Sequence, residues 1–443
     1  MNIRLSDSFT YKKLIRFTLP SIVMMVFTSV YSVVDGLFVS NVLGKTPFAA
    51  VNLVFPFTMM LAAVGFMIGT GGTALVSKKL GEGEADTARR YFTMFVVFTL
   101  LLGLIVSAAA FALMRPICIL MGATAEMLED CVIYGRVLAV FNSAFMLQVL
   151  FHSFCVAAER PNIGLFATIA AGLMNMLLDF LFIAVFKWGI AGAGAATGIS
   201  QLVGAVIPML YFTKKGRAQL WFTKTKLELK PLLQACANGI SEFLSNIANS
   251  VSGMAYNLQL LKFAGEDGVA AYGVLMYVNF IFISIFIGYS VGSAPVIGFH
   301  YGAKNRPELK SLLAKSAVLI GSVGIVMTAL ALSLSKPLAS VFVGYDADLM
   351  ALTRHAFVLF AFSFLFVGFN IFTSAFFTAL NNGLVSGAVS FLRTLVFQLL
   401  AVTLLPIFLG TDGIWLAAVA AELAALLSGA AFLIANRRKY GYM

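Results

Sequence analysis

The chain has 443 residues, of which 60% are hydrophobic and only 11% charged, and its mean hydropathy of +0.96 excludes a soluble globule. It reads as an integral membrane protein. Thirty Lys and Arg against nineteen Asp and Glu give a net charge of +11, which in a soluble chain would suggest nucleic acid; here membrane orientation accounts for it, and no nucleic-acid partner is expected.

Apolar stretches able to span a hydrocarbon core of about 30 Å recur along the sequence. Twelve are expected, at 15 to 39, 48 to 77, 91 to 114, 131 to 156, 162 to 186, 190 to 213, 232 to 261, 269 to 298, 312 to 335, 350 to 379, 384 to 409 and 413 to 435. The amino-terminal MNIRLSDSFTYKKLIRF has the basic character of a secretion signal. The apolar run after it is too long for a signal core, contains Asp35 and lacks a small-residue cleavage site, so it reads as a retained first helix.

Loops on the same side as the amino terminus carry twenty-two of the Lys and Arg, the opposite loops five, and Arg136, Arg354 and Arg393 fall in or near helices. By the positive-inside rule both termini are expected in the cytoplasm of a multi-pass protein of the inner or plasma membrane. The longest basic loop, Lys214 to Lys230, falls at the midpoint and reads as a linker. It divides the chain into an amino-terminal bundle (1–213), a linker (214–230) and a carboxy-terminal bundle (231–443). Gly72-Thr-Ala matches Gly292-Ser-Ala, Ala158 matches Ala379, and Gly189-Ile190 matches Gly413-Ile414, at offsets of 220 to 224. The expected fold is therefore an all-α integral membrane protein, twelve transmembrane helices in two six-helix bundles related by a parallel internal repeat. A monomer surrounded by membrane lipid is expected. Cys118, Cys131, Cys155 and Cys236 have neither CxxC spacing nor nearby His, and are expected as free thiols.

Of the nineteen acids, only Asp35, Asp179, Glu242 and Glu422 lie deep in apolar spans. A carboxylate in hydrocarbon costs roughly 3 kcal/mol or more, so these four need a reason. Tyr31 and Asp35 share one helix face, as do Asn175 and Asp179, each pair four residues apart. Two carboxylates, an amide and a phenol would offer hard oxygen ligands to a small cation, or hold a proton between two acids; Thr197 could add a hydroxyl. The bland alternative is a buried polar cluster that ties helices together.

In the second half Arg393 and Glu422 lie at similar depth and are expected to form a buried ion pair. Glu242, midway along the seventh span and without an evident partner, is the better candidate for touching a cationic substrate. Gly69-Thr-Gly-Gly and Gly192-Ala-Gly-Ala-Ala-Thr-Gly lack the nucleotide-binding patterns and read as close helix packing. The three His are scattered and form no metal cluster, and no metal or cofactor is expected.

The segments YSVVDGLFVSNVLG, GTGGTALVSKKLGEGE, NMLLDFLFI and GIWLAAVAAE resemble the multidrug and toxic compound extrusion (MATE) transporters across nearly the whole chain. NLQLLKFAGEDGVAAYGV and GYSVGSAPVIGFHYGAKN are most similar to its MepA-like branch. The resemblance implies a cation or proton site in the amino-terminal half, at Tyr31, Asp35, Asn175, Asp179 and Thr197. It also implies a secondary active multidrug exporter of lipophilic organic cations, an antiporter driven by H⁺ or Na⁺ through alternating access, with no enzymatic step. An ion gradient is adequate: one charge crossing 100 mV supplies about 2.3 kcal/mol and a tenfold substrate gradient costs about 1.4 kcal/mol. The rival reading is a flippase for a lipid or lipid-linked saccharide, which would need several basic residues in its cavity, whereas Arg393 is the one basic residue in mid-membrane.

Overall fold

Left-handed backbone residues recur at a fixed interval. Gly44 (φ 92°) pairs with Gly265 (φ 64°), Gly83 (φ 82°) with Lys304 (φ 56°), and Gly189 (φ 61°) with Gly410 (φ 59°), each 221 positions apart; Glu159 (φ 62°) and Asn381 (φ 56°) are 222 apart. Each marks a helix connection, so the repeat read from sequence is also written in the backbone turns. The structure is a computed structural model that describes residues 3–344 and 346–442.

The first half contains α1 (Tyr11–Leu43), α2 (Lys45–Gly81), α3 (Ala85–Leu120), α4 (Leu128–Ala157), α5 (Pro161–Asp179) and α6 (Gly189–Phe212). A π-helical segment, Phe180–Val185, extends α5. The second half contains α7 (Leu229–Asn238), α8 (Ile240–Gly302), α9 (Arg306–Val343), α10 (Ala347–Phe360), α11 (Phe364–Ala379), α12 (Gly383–Phe391), α13 (Gln398–Leu409) and α14 (Thr411–Tyr440). A 3₁₀ turn joins α10 to α11, and the π-helical segment Leu392–Phe397 joins α12 to α13, so each pair makes one crossing. The 63 residues of α8 would extend about 95 Å, far more than one bilayer. Gly265 (φ 64°, ψ −154°) breaks it, and α8 crosses twice. The described residues thus make the twelve crossings expected, and contain no strand.

The seventh span departs from expectation. It was expected to be continuous from 232 to 261, but it breaks at Gly239 between α7 and α8. At that point α2 and α7 touch through their backbones: a Cβ on Gly239 would lie 1.9 Å from the Met67 carbonyl oxygen, and one on Gly71 1.9 Å from that of Ala235. The segment expected as a linker also lies against the first half. The Arg89 guanidinium stacks over Trp221 at 3.6 Å and donates to the Gln219 carbonyl, while the Thr223 N–H donates to Thr93 Oγ1 at 3.1 Å. Helix α7 begins at Leu229, so the last two residues assigned to the linker are helical.

The halves meet at their basic ends. Gly288 of α8 lies against Ile22 of α1, where an added Cβ would come within 2.5 Å of the Ile22 Cα, and Gly292 lies against Thr18. Residues 3–10 cross the same end. Leu5 and Phe9 are fully buried; the Leu5 N–H donates to Glu159 of the first half and the Phe9 N–H to Glu308 of the second, each at 2.8 Å. Lys315 Nζ donates to the Phe9 carbonyl. All four cysteines are free thiols; Cys118, Cys131 and Cys155 are buried.

Candidate functional site

Gly172 of α5 presses against Phe27 and Tyr31 of α1, at 2.5 and 3.0 Å from where its Cβ would be. A larger residue would hold the two helices apart. This close approach brings Asp35 of α1 beside Asp179 and Asn175 of α5, near enough for their side chains to interact directly. Asp179 and Asn175 are almost wholly buried, and Asp35 is half-buried. Asp35 Oδ1, Asp179 Oδ1 and both amide atoms of Asn175 are nonetheless buried without a hydrogen-bond partner of good geometry. The cluster gathers two carboxyl groups and an amide, all oxygen and nitrogen atoms of hard character, in one buried place.

The two (i, i+4) pairs read from the sequence therefore meet. Thr197, on α6, donates to the Ala193 carbonyl of its own helix at 3.1 Å and also approaches the phenol of Tyr134. Tyr134, from α4, was not anticipated. It is 5% exposed and lies within electrostatic reach of both Asp35 and Asp179. Gly194 of α6 makes room for it, with its Cβ position 3.3 Å from the Tyr134 ring. A phenol near the start of the fourth apolar span was the only available signal. The π-helical segment begins immediately after Asp179, and such segments recur at functional sites.

In the second half, Arg393 Nε donates to both Glu422 oxygens, at 2.9 and 3.0 Å, so the expected ion pair is present. Asn370 adds two bonds from its amide, to the Glu422 carbonyl (2.8 Å) and to Oε2 (2.7 Å), leaving its own Oδ1 buried and unpaired. Arg393 is placed by the π-helical segment Leu392–Phe397. Nearby, Tyr256 donates to Gln398 Oε1 at 2.8 Å and stacks on Tyr272 with ring centroids 5.2 Å apart.

One expectation for Glu242, that it has no partner, needs correction. It sits in the first turn of α8, one turn beyond Asn238, whose amide donates to Asn381 Oδ1 at 2.7 Å in the loop before α12. The break at Gly239 restarts the helix just before it. Glu242 is not isolated: it lies within electrostatic reach of Arg393, which also pairs with Glu422. Sequence spacing could not reveal this, since it depends on how α8 and α12 pack.

The glycine-rich segments pack helices closely, as expected: a Cβ on Gly69 would lie 3.1 Å from the Leu150 Cα, and one on Gly198 2.1 Å from the Phe141 ring. No group of three or more His, Cys, Asp or Glu able to hold a metal occurs among the described residues.

The MatE family model matches residues 20–181 and 243–403, one segment in each half. The multidrug export protein MepA of Staphylococcus saprophyticus is 23% identical over 370 residues, covering 82% of this chain and 81% of that protein. MepA of Staphylococcus aureus strain NCTC 8325 is 23% identical over 365 residues, covering 81% and 80%. Among solved structures, an outward-facing multidrug resistance transporter of the MATE family and MOP superfamily superposes with a TM-score of 0.93 at 21% identity, covering 98% of each chain. The Vibrio cholerae MATE transporter VcmN, as a mutant, gives 0.90 at 21% identity over 97% of each chain.

Proposed function

Because the chain belongs to the MatE family of transporters, we propose that it is a secondary active exporter of lipophilic organic cations, driven by antiport of H⁺ or Na⁺. The observation that carries the coupling is the facing pair Asp35 and Asp179, with the unsatisfied Asn175 amide beside them. Two carboxyls this close cannot both stay ionised in a dry site without a cation or a proton between them. Tyr31, Tyr134 and Thr197 would supply the remaining oxygens.

Occupancy by the coupling ion would alter how α1 packs on α5. Since α1 also packs on α8 through Ile22 and Gly288, the change is mechanically linked to the contact between the halves. The halves, 1–213 and 231–443, would alternate between openings on the two sides, with the linker 214–230 carried by the first. The twenty-two to five distribution of basic residues favours cytoplasmic termini in a cell membrane. Glu242 and the half-buried Tyr272, stacked on Tyr256, offer a carboxylate and an aromatic ring to cationic drugs. The flippase reading is less favoured, because Arg393 is occupied by Glu422 and is not free to hold a pyrophosphate.

Proteoliposomes loaded with a cationic dye test this proposal when a sodium gradient and a pH gradient are imposed separately. Dye movement driven by one gradient identifies the ion. Movement driven by neither removes the antiport reading.

A further inference from the structure

At the basic end of the first half, α7 runs alongside the last turns of α2 and leaves a cleft of about 440 Å³ lined by Lys78, Lys79, Tyr91, Glu228, Lys230 and Gln234. Helix α7 has three distinct faces. Pro231, Leu232, Ala235 and Asn238 are buried against the protein. Lys230 and Gln234, about 100° further round, edge the cleft, which Leu229 and Pro231 also line. Leu229 and Leu233, on the remaining face, are 64% and 58% exposed, and Leu227 just before the helix is 69% exposed.

The charges in the cleft differ in availability. Lys79 is held by Glu82 at 2.8 Å and Glu84 at 3.0 Å, and Lys78 makes a longer contact with Glu82 at 3.8 Å. Lys230 forms no ion pair among the described residues, nor do Lys224 and Lys226 in the approach to α7. Glu228 subtracts one charge from the lining. Lys78 and Lys79 lie in the last turn of α2, where its apolar span ends, and on a helix that crosses a bilayer that end meets the headgroups. An exposed row of leucines next to unpaired lysines at that depth matches an anionic headgroup with acyl chains attached, and a soluble phosphate would make no use of the leucines.

We propose that this cleft binds an anionic phospholipid of the leaflet on the basic side, with the headgroup phosphate on Lys230 and Lys78 and the chains lying over Leu229 and Leu233. The site is separate from the proposed transport path, so it stands or falls independently of the antiport reading. A lipid seated between α7 and α2 would also bear on the Gly71–Gly239 contact, where the second half joins the first.

The full-length protein, purified in detergent with equimolar phosphatidylglycerol and phosphatidylcholine, is examined by native mass spectrometry for the lipids it retains. The parent should prefer phosphatidylglycerol, Lys230→Gln should lower that preference about fivefold, and Gln234→Arg should raise it. Lys336→Gln, towards the far end of α9, should leave it unchanged, and excess glycerol 3-phosphate should not displace the lipid. Equal retention of the two lipids by the parent overturns the proposal, as does an unchanged preference in both α7 variants. Displacement by glycerol 3-phosphate would make the cleft a soluble-anion site and likewise overturn it. Unchanged monodispersity and thermal stability of the variants separate these results from misfolding.

Discussion

Gly81 and Gly302 occupy equivalent places in the two halves and press on one another's helices: a Cβ on Gly81 would fall 2.0 Å from the Phe299 carbonyl oxygen, and one on Gly302 2.1 Å from that of Lys78. The contact is therefore close to symmetric about the axis that relates the repeats. It closes the basic end with backbone against backbone, where no side chain can yield.

Gly81→Val should force α2 and α8 apart. Overpacking of this kind costs about 1–3 kcal/mol, and here it acts on the closed basic end. In a Cys236→Ala background, a cysteine placed at the fully buried Ser77 should react with a water-soluble maleimide in Gly81→Val but not in the glycine parent. Equal protection in both would mean that the contact does not hold that end shut.

The Arg393–Glu422 pair predicts strong non-additivity. Arg393→Met or Glu422→Leu alone breaks a buried pair, at a cost of about 3–5 kcal/mol, whereas the double variant removes both of its charges and, with Glu242 left behind, should recover part of the loss. Thermal stability in detergent is the readout. Because Asn370 also holds Glu422, Asn370→Ala should weaken the parent but have little effect once Glu422 is leucine. Single losses that simply add would deny the pair an energetic role.

Glu242→Gln should reduce transport of cationic dyes more than transport of neutral ones, since the change removes a charge and keeps the shape. Uniform loss across both dye classes would assign Glu242 a structural role through Arg393.

Tyr134→Phe removes a phenol that lies within reach of both site carboxylates. Losing one hydrogen bond worth about 1 kcal/mol should raise the coupling-ion concentration for half-maximal efflux about fivefold. Tyr31→Phe should be milder. An unchanged ion dependence in Tyr134→Phe would place the phenol outside the ion's coordination.

The architecture was legible because hydrocarbon imposes a length and a polarity on every crossing; the repeat was legible because its turns need glycine or polar residues at matching points. Asp35 and Asp179 stood out because a buried carboxylate is costly in lipid, and their (i, i+4) neighbours Tyr31 and Asn175 follow from helix geometry alone. Tyr134 did not stand out, since a tyrosine in an apolar helix is unremarkable until its neighbours are known. The break at Gly239 depends on a backbone contact with α2 that has no signature in local sequence. The proximity of Glu242 to Arg393 was hidden for the same reason, being set by packing between α8 and α12.

The most direct test of the central claim is gradient-driven efflux of a cationic dye by Asp35→Asn and Asp179→Asn, compared with the parent at matched levels in the membrane. An amide preserves the shape of each carboxyl but can neither carry the charge nor release a proton. The account predicts that each variant loses gradient-driven efflux while remaining folded in the membrane. Parent-level efflux by either variant would contradict it.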